Sequence, residues 1–278
     1  MDNLLLRLEA LENEVRAVRR RLRLWRQLTG GVLVLALVSL LQPWDLAAQA
    51  PGEAQERTIW QLINLWGRVD AIERTLAHVT SETGAGGLPE VRITGANLRL
   101  VNGLRATATT NGLGNLLVGY NEPRQGGNVE TGSHNVLVGQ GHNFSSFGGL
   151  VVGRQNEISG AFAAVGGGFD NTASGASAAV SGGIFNRASG ESAAVSGGFD
   201  NTASASATSV SGGRGNTASG EGATVCGGNG NTASGHTAAI SGGEANTASG
   251  FTSSVSGGRN HTIRGDFNWV AGSLFADE

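Results

Sequence analysis

Residues 171–185 read NTASGASAAVSGGIF, and residues 186–200 read NRASGESAAVSGGFD. The two stretches agree at most positions, and the same fifteen-residue unit continues in both directions along the chain. A period this short leaves no room for a pair of helices, and its Gly, Ser, Ala, Asn and Val content favours short strands joined by tight corners. The repeat therefore predicts an all-β solenoid, a parallel β-helix or β-roll with one coil per fifteen residues.

Two positions of the repeat are predicted to hold the solenoid together. One is an apolar residue that fills a thin core together with neighbouring alanines, since side chains alternate between the faces of a strand. The other is an asparagine, for which we predict a stacked ladder that stabilises a corner; a ligand-binding ladder is the alternative. The predicted core residues are Val165, Val180, Val195, Val210, Val225, Ile240, Val255 and Val270. The predicted ladder residues are Asn156, Asn171, Asn186, Asn201, Asn216, Asn231 and Asn246.

Hydroxyl side chains form two further columns next to the asparagines. In Thr172-Ala173-Ser174 the alternation of a strand puts the threonine and the serine on the face opposite to the alanine. Paired hydroxyl columns resemble those of ice-binding β-helices, so a solenoid that binds ice or carbohydrate is the alternative function. The candidate binding columns are Thr172, Ser174, Thr202, Ser204, Thr217, Ser219, Thr232, Ser234, Thr247 and Ser249, with Arg187 interrupting the first column.

Less regular rungs precede the regular ones. Residues 115–119, 135–139 and 149–153 read NLLVG, NVLVG and GLVVG, which are versions of one strand. The step from Val118 to Val138 is longer than fifteen residues, which indicates a loop leaving one rung around Pro123. We therefore predict degenerate rungs with a loop at 91–158, beginning with strands at 91–94 and 98–101, and regular rungs with a C-terminal cap at 159–278.

Two heptad seams precede the rungs. The first, within residues 1–27, predicts a cytoplasmic coiled coil, with an amphipathic helix on the membrane surface as the alternative. The second predicts a stalk coiled coil at 49–81, followed by a glycine-rich hinge at 82–90. The first seam consists of Leu4, Leu8, Leu11, Val15, Val18, Leu22 and Trp25, and the second of Leu62, Leu65, Val69, Ile72, Leu76 and Val79.

An apolar segment lies between the seams. The twenty residues from Trp25 to Trp44 would span about 30 Å as a helix, so we predict a transmembrane signal anchor at 28–48. The arginine-rich flank before it places the N-terminus in the cytoplasm. A signal peptide cleaved after Ala48, which would release a secreted protein, is the alternative. Under both readings the repeats lie outside the cytoplasm, in the periplasm or at the cell surface.

Charge and chemistry exclude several function classes. The formal net charge is −3, so nothing global favours a nucleic-acid partner. The single cysteine, Cys226, excludes an intramolecular disulfide framework, and the five histidines are dispersed, so we predict no metal and no cofactor. The acids are scattered, and we predict no enzymatic activity. A polysaccharide-active enzyme that uses Asp170 and Asp200, two periods apart, is the alternative.

The rungs, in which an apolar pair ends in Val-Gly or Val-Ser-Gly and Asn-x-Ala-Ser-Gly follows, resemble the head repeats of trimeric autotransporter adhesins (the YadA-like head). The nearest matches are residues 135–139 and 159–265. The resemblance implies a trimer of left-handed parallel β-helical coils with a coiled-coil stalk. It does not extend to the C-terminal β-barrel anchor of that family, because the predicted membrane segment precedes the repeats. We therefore predict a non-enzymatic homotrimer, adhesive or structural, whose partners are the membrane at its N-terminal segment and an extracellular ligand or surface.

Overall fold

The computed structural model describes residues 53–84 and 86–272. The chain divides into two compact units that meet in sequence between Ala96 and Asn97. The predicted coiled coil at 1–27 and the predicted membrane segment at 28–48 lie outside the described residues. Within the part that is described, no helix combines the length and the apolar character that crossing a bilayer requires.

The first unit contains a helix and a β-hairpin. Helix α1 (Glu53–Thr75) is followed by strands β1 (Val79–Thr83) and β2 (Pro89–Ile93), which pair antiparallel. The pairing sets Glu82 directly opposite Glu90. Arg92 contacts both carboxylates, at 2.7 Å and 3.2 Å, and so offsets their mutual repulsion.

The hairpin corrects three boundaries predicted from the sequence. Val79, the last position of the second seam, lies in β1, because the β-branched residues of this segment pair with β2 instead of continuing the helix. The two ends of the predicted hinge at 82–90 belong to the hairpin, because they lie in the paired strands β1 and β2. The predicted degenerate rungs begin too early, because Val91 and Ile93 belong to β2, and residues 98–101 form no strand.

The second unit is a parallel β-solenoid of about nine turns with rungs of about fifteen residues, as the period predicts. Its first sheet has eleven strands: β3 (Leu116–Val118), β4 (Val136–Gln140), β6 (Leu150–Arg154), β8 (Ala164–Val165), β10 (Ala179–Val180), β12 (Ala194–Val195), β14 (Ser209–Val210), β16 (Thr224–Val225), β18 (Ala239–Ile240), β20 (Ser254–Val255) and β22 (Trp269–Val270). Its second sheet has nine: β5 (Asn143–Phe144), β7 (Glu157–Ile158), β9 (Thr172–Ala173), β11 (Arg187–Ala188), β13 (Thr202–Ala203), β15 (Thr217–Ala218), β17 (Thr232–Ala233), β19 (Thr247–Ala248) and β21 (Thr262–Ile263). Both sheets pair without a shift of register, so each position of the repeat forms a straight column.

Each rung also has a third edge, where one residue per coil bridges to the next coil. Ile184, for example, bridges Phe169 on one side and Phe199 on the other. Glycines with positive φ turn the chain before this edge. At Gly183, φ is +89°, and a Cβ atom would lie 2.3 Å from the carbonyl oxygen of Gly198, so both the conformation and the space require glycine.

The core is a thin stack of small apolar side chains. The predicted core residues from Val165 to Val255 are at most 1% exposed, which confirms their assignment. Val270 is half-buried, because no described rung lies beyond it. Alanines complete the core, such as Ala173 of the second sheet and Ala178 just before β10. Because the fill is so small, each coil buries little apolar surface of its own.

Candidate functional site

The predicted asparagine ladder is a buried structural element. All seven members are at most 1% exposed. The Nδ2 group of Asn186 donates to the carbonyl oxygens of Gly182 and Gly198, both at 3.0 Å, and its Oδ1 accepts the backbone N–H of Asn201 at 3.0 Å. The amides therefore bond mainly to backbone groups of their own and the next rung. Since no ligand can reach them, the ladder stabilises the corner and does not form a binding site.

The ladder continues beyond the residues that the sequence indicated. His142 precedes Asn156 in the stack and receives a hydrogen bond at Nδ1 from the Asn156 backbone N–H at 3.3 Å, while its Nε2 contacts the Val138 carbonyl oxygen at 3.1 Å. Asn121 precedes His142 and accepts its backbone N–H at 2.7 Å. The fifteen-residue step missed both residues, because the spacings at this end are fourteen and twenty-one. At the other end, the backbone N–H of His261 donates to the Oδ1 of Asn246.

The partners of His142 require a neutral ring. Its Nδ1 accepts a backbone N–H, so its proton sits on Nε2, where it donates to a carbonyl oxygen. Burial of the ring lowers the pKa of His142 below its ordinary value of 6.5, and the nearby Arg124 lowers it further, while backbone hydrogen bonds oppose the shift. His142 is therefore a neutral member of the ladder near pH 7.

The candidate threonine and serine columns stand side by side on the outer face of the nine-stranded sheet. Thr202, Thr217, Thr232 and Thr247 occupy one column in register and are half-buried, and the serines beside them are mostly exposed. Arg187 lies in the same column and is exposed, as the sequence predicts. The structure thus brings the predicted columns together on one face.

The outer face of the eleven-stranded sheet, which we call the uncharged face, differs from every other side of the solenoid. Two outward positions per strand form two columns about 50 Å long, given about 4.8 Å per strand. None of these side chains is charged. The first column is Leu116, Val136, Leu150, Ala164, Ala179, Ala194, Ser209, Thr224, Ala239, Ser254 and Trp269, and the second is Val118, Val138, Val152, Gly166, Ser181, Ser196, Ser211, Cys226, Ser241, Ser256 and Ala271.

Large apolar side chains are exposed at the start of the solenoid. Several of them belong to the uncharged face, where Leu116, Val118 and Leu150 are 40% or more exposed. Tyr120, just beyond β3, is 92% exposed. Exposed apolar residues are ordinary when scattered, but a contiguous patch on a single chain marks an interaction surface.

The third edge carries an aromatic ladder between two arginines. Phe185 packs edge-on against Phe169 and Phe199, with ring centroids 5.6 Å and 5.7 Å apart. The guanidinium of Arg154 lies 4.4 Å from the centroid of the Phe169 ring, and that of Arg214 lies 5.4 Å from the Phe199 ring. The aromatic ladder joins consecutive rungs on the outside of the coil, where the apolar core contributes no packing between rungs.

The two candidate acids lie on the same edge of the solenoid, two rungs apart. Asp170 and Asp200 are exposed on the third edge, beside the aromatic ladder. Within the described residues, no three His, Cys, Asp or Glu side chains gather as metal ligands would. Cys226, on the uncharged face, is an exposed free thiol.

The comparisons with known proteins found no family model that matches this chain and no curated protein that matches it. The geometry of the solenoid therefore carries the functional argument.

Proposed function

We propose that this chain is a non-enzymatic structural or adhesive protein, a homotrimeric β-solenoid rod anchored by its N-terminal segment and displayed outside the cytoplasm. The observation that carries the proposal is the uncharged face. Interface cores are depleted of charged residues, and a face without charges meets a copy of itself without like-charge repulsion. The other sides of the solenoid carry charged side chains such as Arg187, Glu191 and Arg259.

Helix α1 supports association from the other unit. Its seam residues Leu65, Val69 and Ile72 are between 41% and 55% exposed. Helices in proteins are stabilised mostly by packing of an apolar face, so the exposed apolar stripe of α1 favours packing against other copies. The second seam and the uncharged face thus both favour parallel chains.

Three copies, left-handed coils and an exported rod rest on the resemblance to trimeric autotransporter heads and on the apolar segment at 28–48. The thin core of each rung also favours association of several chains. Because Val and Ala fill the core, the coil gains from burying further surface against a neighbour.

Cys226 provides a direct test, because it is the only cysteine of the chain and lies on the uncharged face. Full-length protein in detergent is treated with a three-armed maleimide and separated on a denaturing gel. If three copies meet through this face, the three thiols lie near one axis, and we expect a covalent trimer. A band at the dimer mass alone would contradict threefold association, and monomer alone would contradict association through this face.

A matched control places the thiol elsewhere on the same coil. In the Cys226→Ser background, Ser219→Cys moves it to the outer face of the nine-stranded sheet, where Ser219 is exposed. We expect little trimer from this variant and restored trimer from Ser241→Cys, which lies in the column of Cys226 one rung further along. Equal yields at Ser219→Cys would show that the cross-linking reports collision and not a shared face.

The register of the hydroxyl columns supports a second candidate function, ice or carbohydrate binding on the nine-stranded sheet. Thr202, Thr217 and Thr232 repeat at the spacing of the strands, about 4.8 Å. If this face binds ice, Thr217→Tyr breaks the flat column and abolishes inhibition of ice recrystallisation. Wild-type protein without any effect on ice growth would exclude the ice-binding form of this function.

A further inference from the structure

We propose that a groove on the third edge of the first rungs is a binding site for an extended oligosaccharide. The groove has a volume of about 560 Å³ and is lined by Tyr120, Glu122, Gln140, Arg154 and three stacked glycines, Gly119, Gly139 and Gly153. It lies at the glycine corner, next to Val118, Val138 and Val152 of the uncharged face, and away from the threonine columns.

The floor of the groove is bare backbone. At Gly139 a Cβ atom would lie 1.9 Å from the Gly153 carbonyl oxygen, so side chains are excluded there by the stacking of the coils. The coils that form the groove span about 10 Å along the solenoid, given about 4.8 Å per strand. This length suits two or three sugar residues of a chain that runs along the edge.

The loop that carries Tyr120 and Glu122 is fixed by its own hydrogen bonds. Arg124 donates from Nε and Nη2 to the Gly141 carbonyl oxygen at 2.9 Å and 2.7 Å. Asn128 accepts the Arg124 backbone N–H and donates to the Asn121 carbonyl oxygen. A loop that holds exposed side chains on a rigid scaffold is the usual setting of a binding site.

The side chains around the groove are free to bind a ligand. Tyr120 is the only tyrosine of the chain and presents almost its whole ring to solvent. Neither Glu122 nor Arg154 forms an ion pair within the described part of the chain. The stacking of the Arg154 guanidinium on the Phe169 ring fixes the position of the Arg154 side chain.

This set of groups fits the chemistry of sugar. A hydroxyl both donates and accepts, so it can donate to the Glu122 carboxylate and accept from the Arg154 guanidinium, while the Gln140 amide offers both roles. The apolar face of a sugar ring packs on an aromatic ring such as that of Tyr120. One acid and one base give the groove no net charge, which disfavours a polyanion or a polycation.

The test uses full-length protein in a polyoxyethylene detergent, since maltoside head groups would compete for the groove. Hexasaccharides of β-1,4-linked glucose, β-1,4-linked N-acetylglucosamine and β-1,3-linked glucose, which are all uncharged, are titrated at up to millimolar concentration, and binding is measured by saturation-transfer NMR. We expect at least one of them to bind, and Tyr120→Ala to weaken that binding about tenfold or more. Because Tyr120 is so exposed, its truncation leaves the fold intact.

Arg259→Ala is the matched control, because Arg259 is exposed in the third-edge column of Arg154 but lies many rungs away. We expect Arg154→Ala to weaken binding and Arg259→Ala to leave it unchanged. The proposal is overturned if none of the three hexasaccharides binds, or if Tyr120→Ala binds as wild type does. Loss of binding through Thr217→Tyr with Tyr120→Ala unaffected would also overturn it, by placing the sugar on the hydroxyl columns. Cross-linking at Cys226 is scored on the same samples, so failure of the trimer and failure of the groove are distinguished.

Discussion

Replacing Asn201 by aspartate changes one group in the centre of the asparagine ladder without changing its shape. Asn201 is fully buried. Its Nδ2 donates to the carbonyl oxygens of Gly197 and Gly213, both at 2.9 Å, and its Oδ1 accepts the Asn216 backbone N–H at 3.0 Å. Asn201→Asp keeps the acceptor but puts a carboxylate oxygen against two carbonyl oxygens.

Asn201→Asp lowers the free energy of unfolding in two ways. The Gly197 carbonyl oxygen loses the amide donor, at about 1–3 kcal/mol, whereas the Gly213 carbonyl oxygen keeps the backbone N–H of Phe199 as a donor and loses less. The carboxyl must in addition be buried, which raises its pKa above the unfolded value of about 3.9. If the folded-state pKa rises to about 7, ionisation in the unfolded chain adds about 4 kcal/mol of destabilisation at pH 7, at about 1.4 kcal/mol per pH unit.

The sign of the pH dependence separates these two effects. Below about pH 3.9 the carboxyl is protonated in both the folded and the unfolded chain, so only the hydrogen-bond cost remains. As the pH rises, the unfolded chain ionises first, and Asn201→Asp loses stability towards pH 7. Asn201→Ala loses the same donated bonds without a titrating group, so its stability relative to wild type should not vary with pH.

The assay is urea unfolding of wild type, Asn201→Asp and Asn201→Ala, followed by circular dichroism at pH 4 and pH 7. We expect both variants to be less stable than wild type at both pH values, and the aspartate variant to fall below the alanine variant only at pH 7. Equal stability of Asn201→Asp and wild type at pH 7 would refute the reasoning, because the hydrogen bonds that the amide donates would then contribute nothing to stability.

Three further changes test other parts of the solenoid. His142→Asn supplies the usual ladder residue. Since the pKa of His142 is lowered, wild type should lose stability as the pH falls below about 6.5, and urea unfolding at pH 5 and pH 7 should show that His142→Asn removes this loss. Gly183→Ala, with positive φ and no space for a Cβ, should cost at least about 2 kcal/mol, whereas Gly182→Ala, with no atom within 4 Å of the added Cβ, should be nearly neutral in thermal unfolding. Val210→Ala should cost about 2 kcal/mol in urea unfolding, against less than about 0.5 kcal/mol for the exposed Ser211→Ala; equal costs would contradict the assigned faces.

The regular rungs could be predicted because one residue type at a fixed step identifies a column. Valine at the position of Val180 and asparagine at that of Asn186 recur in nearly every regular coil, and stacking without a register shift buries each of these columns. The third edge could not be predicted in the same way. Its bridging position is occupied by Phe169, Ile184 and Arg214 in different rungs, because the side chain points outward and the core does not select it.

The remaining differences arise where local pairing overrides a pattern. Val79 fits the heptad seam, but its β-branched neighbours find a partner strand ten residues further along, and the hairpin takes them out of the helix. His142 escaped detection because the loop and the shorter rung around it break the fifteen-residue step, although its ring and backbone occupy the ladder. The groove beside Tyr120 is formed by the same irregular rungs, so the fifteen-residue period could not predict it.

The identical bonding of successive coils also has a consequence for inheritance. Because every coil meets only its two neighbours through the same ladder and sheets, a gene duplication that adds one whole repeat re-forms all the contacts that it interrupts. Each such event lengthens the protein by about 4.8 Å. Insertions of other sizes must bring their own anchors, as Arg124 and Asn128 do for the loop at Tyr120. Related genes are therefore expected to differ in length by whole coils. Recombination between repeats would then set the distance between the two ends of the solenoid.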